Sequence, residues 1–172
     1  MQIIMKKSLL LLVVAIFTLT TAFDANAQWT DRNTFNLKGP VKEVYNEYCT
    51  ELSFDKNGKY IKADYEESIC RDRKNRITDI HDEGGMGGRS YLYNSKGQVI
   101  KFIESAPSSQ NTYKYTYNSK GYIAKEHCTG KWDSYTTIYT YQKFDSYGNW
   151  IKRTAKNKYG TKVETRTITY YE

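Results

Sequence analysis

Four nine-residue stretches of this chain align without a gap: FDKNGKYIK at 54–62, YNSKGQVIK at 93–101, YNSKGYIAK at 117–125 and FDSYGNWIK at 144–152. Each reads aromatic, Asp or Asn, two further residues, Gly, any residue, a large apolar residue, Ile or Ala, and Lys. A degenerate copy, RDRKNRITD at 71–79, keeps Asp72 and has Asn75 where the others have Gly, and a partial copy keeps Asn157 and Gly160. A recurring unit of this kind limits the fold to a stack of one supersecondary element.

The unit is a β-hairpin turn. Asp or Asn at the first position of a type I turn accepts hydrogen bonds from backbone amides ahead of it. Gly three positions later takes the left-handed conformation and forms a bulge that matches the turn to the twist of its strands. Asn75 is consistent, because Asn tolerates positive φ best among residues with a side chain. The flanks agree: Thr112 to Tyr117 alternates strictly, and Tyr135 to Tyr141 and Val163 to Tyr171 are rich in Tyr, Thr, Ile and Val, the composition of strands.

Simple register then pairs Tyr93 with Val99, Tyr117 with Ile123, Phe54 with Tyr60 and Phe144 with Trp150. Two residues further out, Tyr91 is expected opposite Lys101, Tyr115 opposite Lys125, Leu52 opposite Lys62 and Gln142 opposite Lys152, with Ile61, Ile100, Ala124 and Ile151 on the other face. Apolar groups on both faces near each turn point to a curved or partly rolled sheet. Ten antiparallel strands are expected, at 41–54, 59–70, 76–83, 89–94, 98–105, 111–118, 122–129, 135–144, 149–156 and 162–171. The fold class is an all-β antiparallel meander of repeated hairpins.

The aromatic–Asp/Asn–x–x–Gly–x–apolar unit resembles the YD repeats of RHS-type bacterial proteins and of small exported proteins that carry them. LKGPVKEV at 37–44 is similar to the segment that often opens such regions. The resemblance covers about 54–163. It implies hairpin architecture and a binding or structural role, and it brings no catalytic residues. Gly-to-Gly steps of 39, 24 and 27 are uneven, and the large shell and toxin cargo of full RHS proteins have no counterpart here, so encapsulation is not carried over.

Residues 1–27 read as a secretory signal peptide: Lys6 and Lys7, an apolar centre from Leu9 to Phe17, and Ala25-Asn26-Ala27 before the cleavage point. Thr18, Thr20, Thr21 and Asp24 dilute the run below the roughly 20 apolar residues of a membrane span, and no Cys follows it closely enough for lipidation. The mature domain is then 28–172, a secreted or periplasmic chain without a transmembrane segment. An aromatic content of 15% is too high for a disordered chain. Charge is uneven, net −1 over 28–90 and +7 over 91–172. Cys49, Cys70 and Cys128 permit one disulfide and leave one thiol over, with three pairings open.

Catalytic patterns are thin. His81-Asp82-Glu83 before a Gly-rich stretch offers two metal-binding side chains on one strand face, short of the three or four that a site needs. His127 and Cys128 are strand neighbours and point to opposite faces, which denies them a nucleophile–base contact. No motif calls for a cofactor. Lys62, Lys101, Lys125 and Lys152 occupy equivalent places in four hairpins. Beside Tyr91 and Tyr115 they are expected to form a ligand-binding face for glycans or anionic polymers, since rings stack on sugars and ammonium groups meet anions. Export disfavours nucleic acid as the partner. The second reading is an assembly module that pairs with an envelope protein through sheet edges; a hydrolase or metal-dependent enzyme comes third.

Overall fold

The computed structural model describes residues 29–46, 50–62 and 66–172, so the leader at 1–27, Asp64 and Cys49 lie outside the described residues. Among these, twelve strands form two antiparallel sheets. In chain order they are β1 (Val41–Tyr45), β2 (Thr50–Ser53), β3 (Glu66–Arg71), β4 (Ile77–Asp82), β5 (Gly88–Tyr93), β6 (Val99–Ala106), β7 (Ser109–Tyr117), β8 (Ile123–Thr129), β9 (Ser134–Phe144), β10 (Trp150–Asn157), β11 (Gly160–Thr165) and β12 (Thr167–Tyr170). Strands β3 to β11 follow one another across a nine-stranded meander, and β12-β1-β2 form a second sheet of three. The meander is open and partly rolled. No helix among the described residues is long and apolar enough to cross a membrane.

The repeat turns fold as their residues dictate. Asp55, Asp72, Asn94, Asn118 and Asp145 each accept on the side-chain oxygen the amide of the residue four positions on, at 2.8–3.1 Å. The glycines at 58, 97, 121 and 148 have φ near +80°, and Asn75 has +61°. Phe54 meets Tyr60, Tyr93 meets Val99, Tyr117 meets Ile123 and Phe144 meets Trp150, as the turn register requires.

Two expected strands divide. The run 41–54 becomes β1 and β2, which pair with each other. The run 162–171 breaks at Arg166, after which β12 leaves the meander and pairs with β1, Val41 opposite Tyr170. This return joins the two ends of the described chain and closes the core. Val41, Val44, Phe54, Ile77 and Ile80 have no exposed surface, and Phe35, Leu52, Ile69, Tyr91 and Ile168 pack around them. Burial of each such side chain contributes about 1.5–3 kcal/mol.

A strap formed by residues 29–40 reaches all five repeat turns. It contains one short helix, α1 (Asp31–Thr34). The Asp31 amide donates to the Gly58 carbonyl, and the Arg32 guanidinium to that of Asp55. Asp31 binds Arg71, which in turn donates to the Asn75 carbonyl. Trp29 lies against Gly97 so closely that a Cβ there would sit 2.7 Å from its ring. Asn36 donates to the Gly121 carbonyl at 3.2 Å, and the Lys38 amide donates to Asn149 at 2.8 Å. One rim of the sheet is thus sewn together by a segment that is itself almost without secondary structure.

The tyrosines of the repeat have a structural duty at the same rim. Tyr117 donates its hydroxyl to the carbonyl of Val99, Tyr141 to that of Ile123 and Tyr93 to that of Ile77, at 2.6–2.8 Å. Val99 and Ile123 stand where the strand pairing slips, and each of these carbonyls takes a donor from the next hairpin. At the last repeat the equivalent carbonyl, that of Trp150, accepts from the Arg166 guanidinium at 2.7 Å.

Candidate functional site

Four β-bulges, two of them in the last hairpin, decide which side chains share a face. Tyr93 pairs with Val99 but Leu92 pairs with Lys101, which makes Ile100 an extra residue. Ala124 is the extra residue between the Tyr117–Ile123 and Thr116–Lys125 pairs, and Ile151 between Phe144–Trp150 and Lys143–Lys152. The insertions at Ile100 and Ala124 reverse the alternation beyond them. The one at Ile151 is cancelled by Gln142, the extra residue of β9 between the Lys152–Lys143 and Arg153–Tyr141 pairs, so it resets only Lys152 and Lys143. The expected partners are therefore corrected: Tyr91 stands opposite Phe102 and Tyr115 opposite Glu126, while Lys101 stands opposite Leu92, Lys125 opposite Thr116 and Lys152 opposite Lys143.

Tyr91 and Tyr115 thus lie on the inner face, and Lys101, Lys125 and Lys152 on the outer one. Burial raises the pKa of both tyrosines, and Tyr91 packs against the core. Lys62 is exposed and follows the first turn, outside the nine-stranded sheet. The geometry brings three of the four lysines to one face without the two rings expected beside them.

Pairing adds three more lysines to that face. Lys114 stands opposite Lys101, Lys143 opposite Lys152, and Lys156 and Lys125 both opposite Ile138. Among the described residues no ion pair or hydrogen bond engages any of these six ammonium groups. The carboxylates of the same strands go the other way: Glu104 pairs with Arg89, Glu126 with Tyr115 and Glu164 with Arg153, all inner positions. Asp133 and Asp145 sit in turns. The outer face of β6–β11 consequently carries lysines among threonines and no carboxylate. Two of its cross-strand pairs, Lys101–Lys114 and Lys143–Lys152, set like charges about 5 Å apart at Cβ, which costs stability. A shallow depression lined by Thr136, Ile138, Thr140, Thr154 and Lys156 runs along it.

The inner face is ringed and ionic. Arg153 bonds Glu164 at 2.6 Å and stacks on Tyr139 and Trp150, its guanidinium 3.9 and 4.2 Å from their centroids. Arg166 covers Trp150 at 3.9 Å; burial, with Arg153 beside it, lowers its pKa to about 10. Glu126 is held above the ordinary carboxylate range by burial, with Glu164 adding to the rise and Tyr139 and Arg153 opposing it. A raised folded-state pKa means that the folded protein binds a proton more readily than the unfolded chain, so Glu126 favours folding least above its folded pKa and more as pH falls. Replacement of Glu126 by Gln is expected to raise Tm at pH 7, an advantage that shrinks towards pH 4; an unchanged or lower Tm at pH 7 would refute this.

The remaining chemistry stays dispersed. Cys128 is buried and His127 exposed on the opposite face, where its ring meets the Thr136 hydroxyl at 3.0 Å. Cys70 is exposed with its thiol 3.9 Å from His81. Four strands separate β3 from β8, so Cys70 and Cys128 are not bridged, and both are free thiols. Glu83 belongs to a 3-10 turn (Glu83–Gly85) beyond the end of β4 and does not continue the strand face of His81. No group of three metal-ligating side chains occurs among the described residues. The lysine face was legible only in part from sequence, because Lys114, Lys143 and Lys156 lie outside the repeat; Val99-Ile100 and Ile123-Ala124, adjacent apolar pairs in otherwise alternating strands, were the signal for the bulges. Among known proteins, no family model matches the chain and no curated protein is significantly similar to it.

Proposed function

We propose that this chain is an exported, non-catalytic hairpin-repeat protein of the cell envelope or extracellular space that holds an anionic polymer, such as an acidic polysaccharide, on its outer lysine face. The observation that carries the reading is the segregation of charge: six lysines stand on one face of β6–β11, two pairs of them directly opposed, with no carboxylate to relieve them. Lysines in such positions repel one another until an anion lies across them. Strands about 4.8 Å apart present ammonium groups at intervals suited to one negative charge per sugar ring. The threonines between them supply hydroxyl groups for hydrogen bonds to the same polymer. The resemblance of the turn motif to YD-type repeats fits a binding role.

Residues 28–172 are expected to bind an immobilised acidic polysaccharide with an affinity that falls as salt rises. Changing Lys101, Lys114, Lys125 and Lys152 together to Gln is expected to weaken binding at least tenfold and to flatten the salt dependence. Equal binding by parent and variant, or none by the parent, would overturn the reading. Association into oligomers that is indifferent to salt and to these lysines would favour assembly through the β3 or β11 edge.

A further inference from the structure

The rim opposite the strap holds the connections β4–β5, β6–β7, β8–β9 and β10–β11. The three most exposed large apolar side chains of the described chain all stand there, one to a connection: Met86 at 62%, Trp132 at 86% and Tyr159 at 68%. Pro107 occupies the fourth connection and is exposed too. Nothing in the packing of the sheet calls for Trp132. Gly130 and Asp133 close its turn through a backbone hydrogen bond of 2.8 Å, and the ring stands in solvent with Lys131 at 4.7 Å from its centroid.

The Trp132 and Tyr159 hairpins are neighbours and are held together. Lys158 pairs with Asp133 and donates to the Ser134 carbonyl, and Tyr135 meets the Tyr159 ring edge-on at 5.6 Å. Lysines 131, 158 and 162 lie at or within two residues of these two tips, against the single carboxylate of Asp133. Rings with an apolar body and a polar edge, set among cations, have the chemistry of side chains at the boundary between lipid and water.

We infer that this rim docks on the surface of an anionic phospholipid bilayer, with Trp132 and Tyr159 entering the headgroup layer and the lysines meeting lipid phosphates. Spacing favours a bilayer over a protein. Adjacent hairpins repeat every two strands, roughly 10 Å, so the apolar tips are separate points, whereas a protein interface needs a contiguous apolar centre. A fluid surface lets each tip find its own depth. This inference is independent of the polymer face, which lies on the flat of the sheet.

The test uses residues 28–172, which hold every contact described above and lack the apolar run of the leader, with vesicles of phosphatidylcholine containing phosphatidylglycerol. The parent is expected to co-sediment with them and its tryptophan emission to shift to the blue. Replacement of Trp132 and Tyr159 by Ala is expected to weaken partitioning at least tenfold and to abolish the shift, with an unchanged melting temperature. Changing Lys131 to Gln costs roughly fivefold. The variant with Gln at Lys101, Lys114, Lys125 and Lys152 is expected to retain the emission shift. The inference fails if the parent does not partition, if the double Ala variant partitions like the parent, or if binding disappears only in the four-Gln variant. It fails also if the rim proves to join two copies of the chain, seen as an oligomer that the Ala variant dissolves without any vesicle being bound.

Discussion

Replacement of Asp31 by Ala is expected to lower the free energy of unfolding by about 3–5 kcal/mol, the range for removing one partner of a buried ion pair. The carboxylate is 2% exposed. Its two oxygens take the Arg71 guanidinium at 2.5 and 2.8 Å, and one of them also accepts the Tyr60 amide at 2.7 Å. Removal therefore leaves the Tyr60 N–H without its acceptor and the partly buried Arg71 guanidinium without its counter-charge. It also cuts the strap's link to the second repeat turn, while the Asp31 amide and Arg32 still hold the first. The same pair raises the pKa of Arg71, chiefly through its hydrogen bond to Asp31. A loss of that size is a large share of the roughly 5–15 kcal/mol that holds a domain folded. Chemical denaturation checks it. Arg71→Ala added to the Asp31→Ala background should cost far less than in the parent, because the partners are lost as a unit. A cost below about 1 kcal/mol for Asp31→Ala would refute the assignment, since that is what a solvent-exposed pair contributes.

The turns were readable because everything they need is local. The Asp or Asn acceptor, the amide four residues on and the positive φ between them fall within five residues, and even the Asn75 copy follows the rule. The strap was not readable for the opposite reason. Trp29 to Pro40 contains Asn, Gly and Pro and reads as a connection, while its meaning lies in partners such as Gly97, Gly121 and Asn149, from 68 to 111 residues away. The break at Arg166 is of the same kind. Thr165-Arg166-Thr167 carries no turn residue, and Val163 to Tyr171 stays rich in Thr, Ile, Val and Tyr throughout; what ends β11 is Arg166 stacking on Trp150 and bonding its carbonyl.

The candidate site shows how one local feature changes a global conclusion. Turn register alone sets the repeat lysines beside Tyr91 and Tyr115. Extra residues at Ile100 and Ala124, and the opposed pair Ile151 and Gln142 in the last hairpin, move the lysines through the sheet and give the tyrosines to the inner side. The repeat then has two separate products. Aromatic side chains close the rim and face inward, where Tyr117 and Tyr141 serve carbonyls beside the bulges. Lysines leave on the outer face, where nothing in the described chain neutralises them. The bulge that perturbs the ladder is what separates the charge.

Asn149→Ala is the second large loss expected, about 3 kcal/mol by the cost of leaving buried polar groups unmade. Asn149 is 1% exposed and sits directly after Gly148 in the last repeat turn, where the other copies have Lys, Arg, Gln or Tyr. Its side chain accepts the Lys38 amide at 2.8 Å, donates to the Lys38 carbonyl at 2.8 Å and donates to the Tyr170 hydroxyl at 2.9 Å. One amide thus imitates a strand partner for the strap and ties it to β12, the strand that closes the core. Ala deprives both Lys38 backbone groups of their partner, whereas Tyr170 retains Asp145 as an acceptor. The consequence should be regional as well as global. Amide exchange is expected to quicken in 36–41 and 167–171, the strap end and the returning strand, before it quickens in β6–β8. Uniform exchange across the sheet at unchanged stability would mean that Asn149 fills space at this junction and does not hold it.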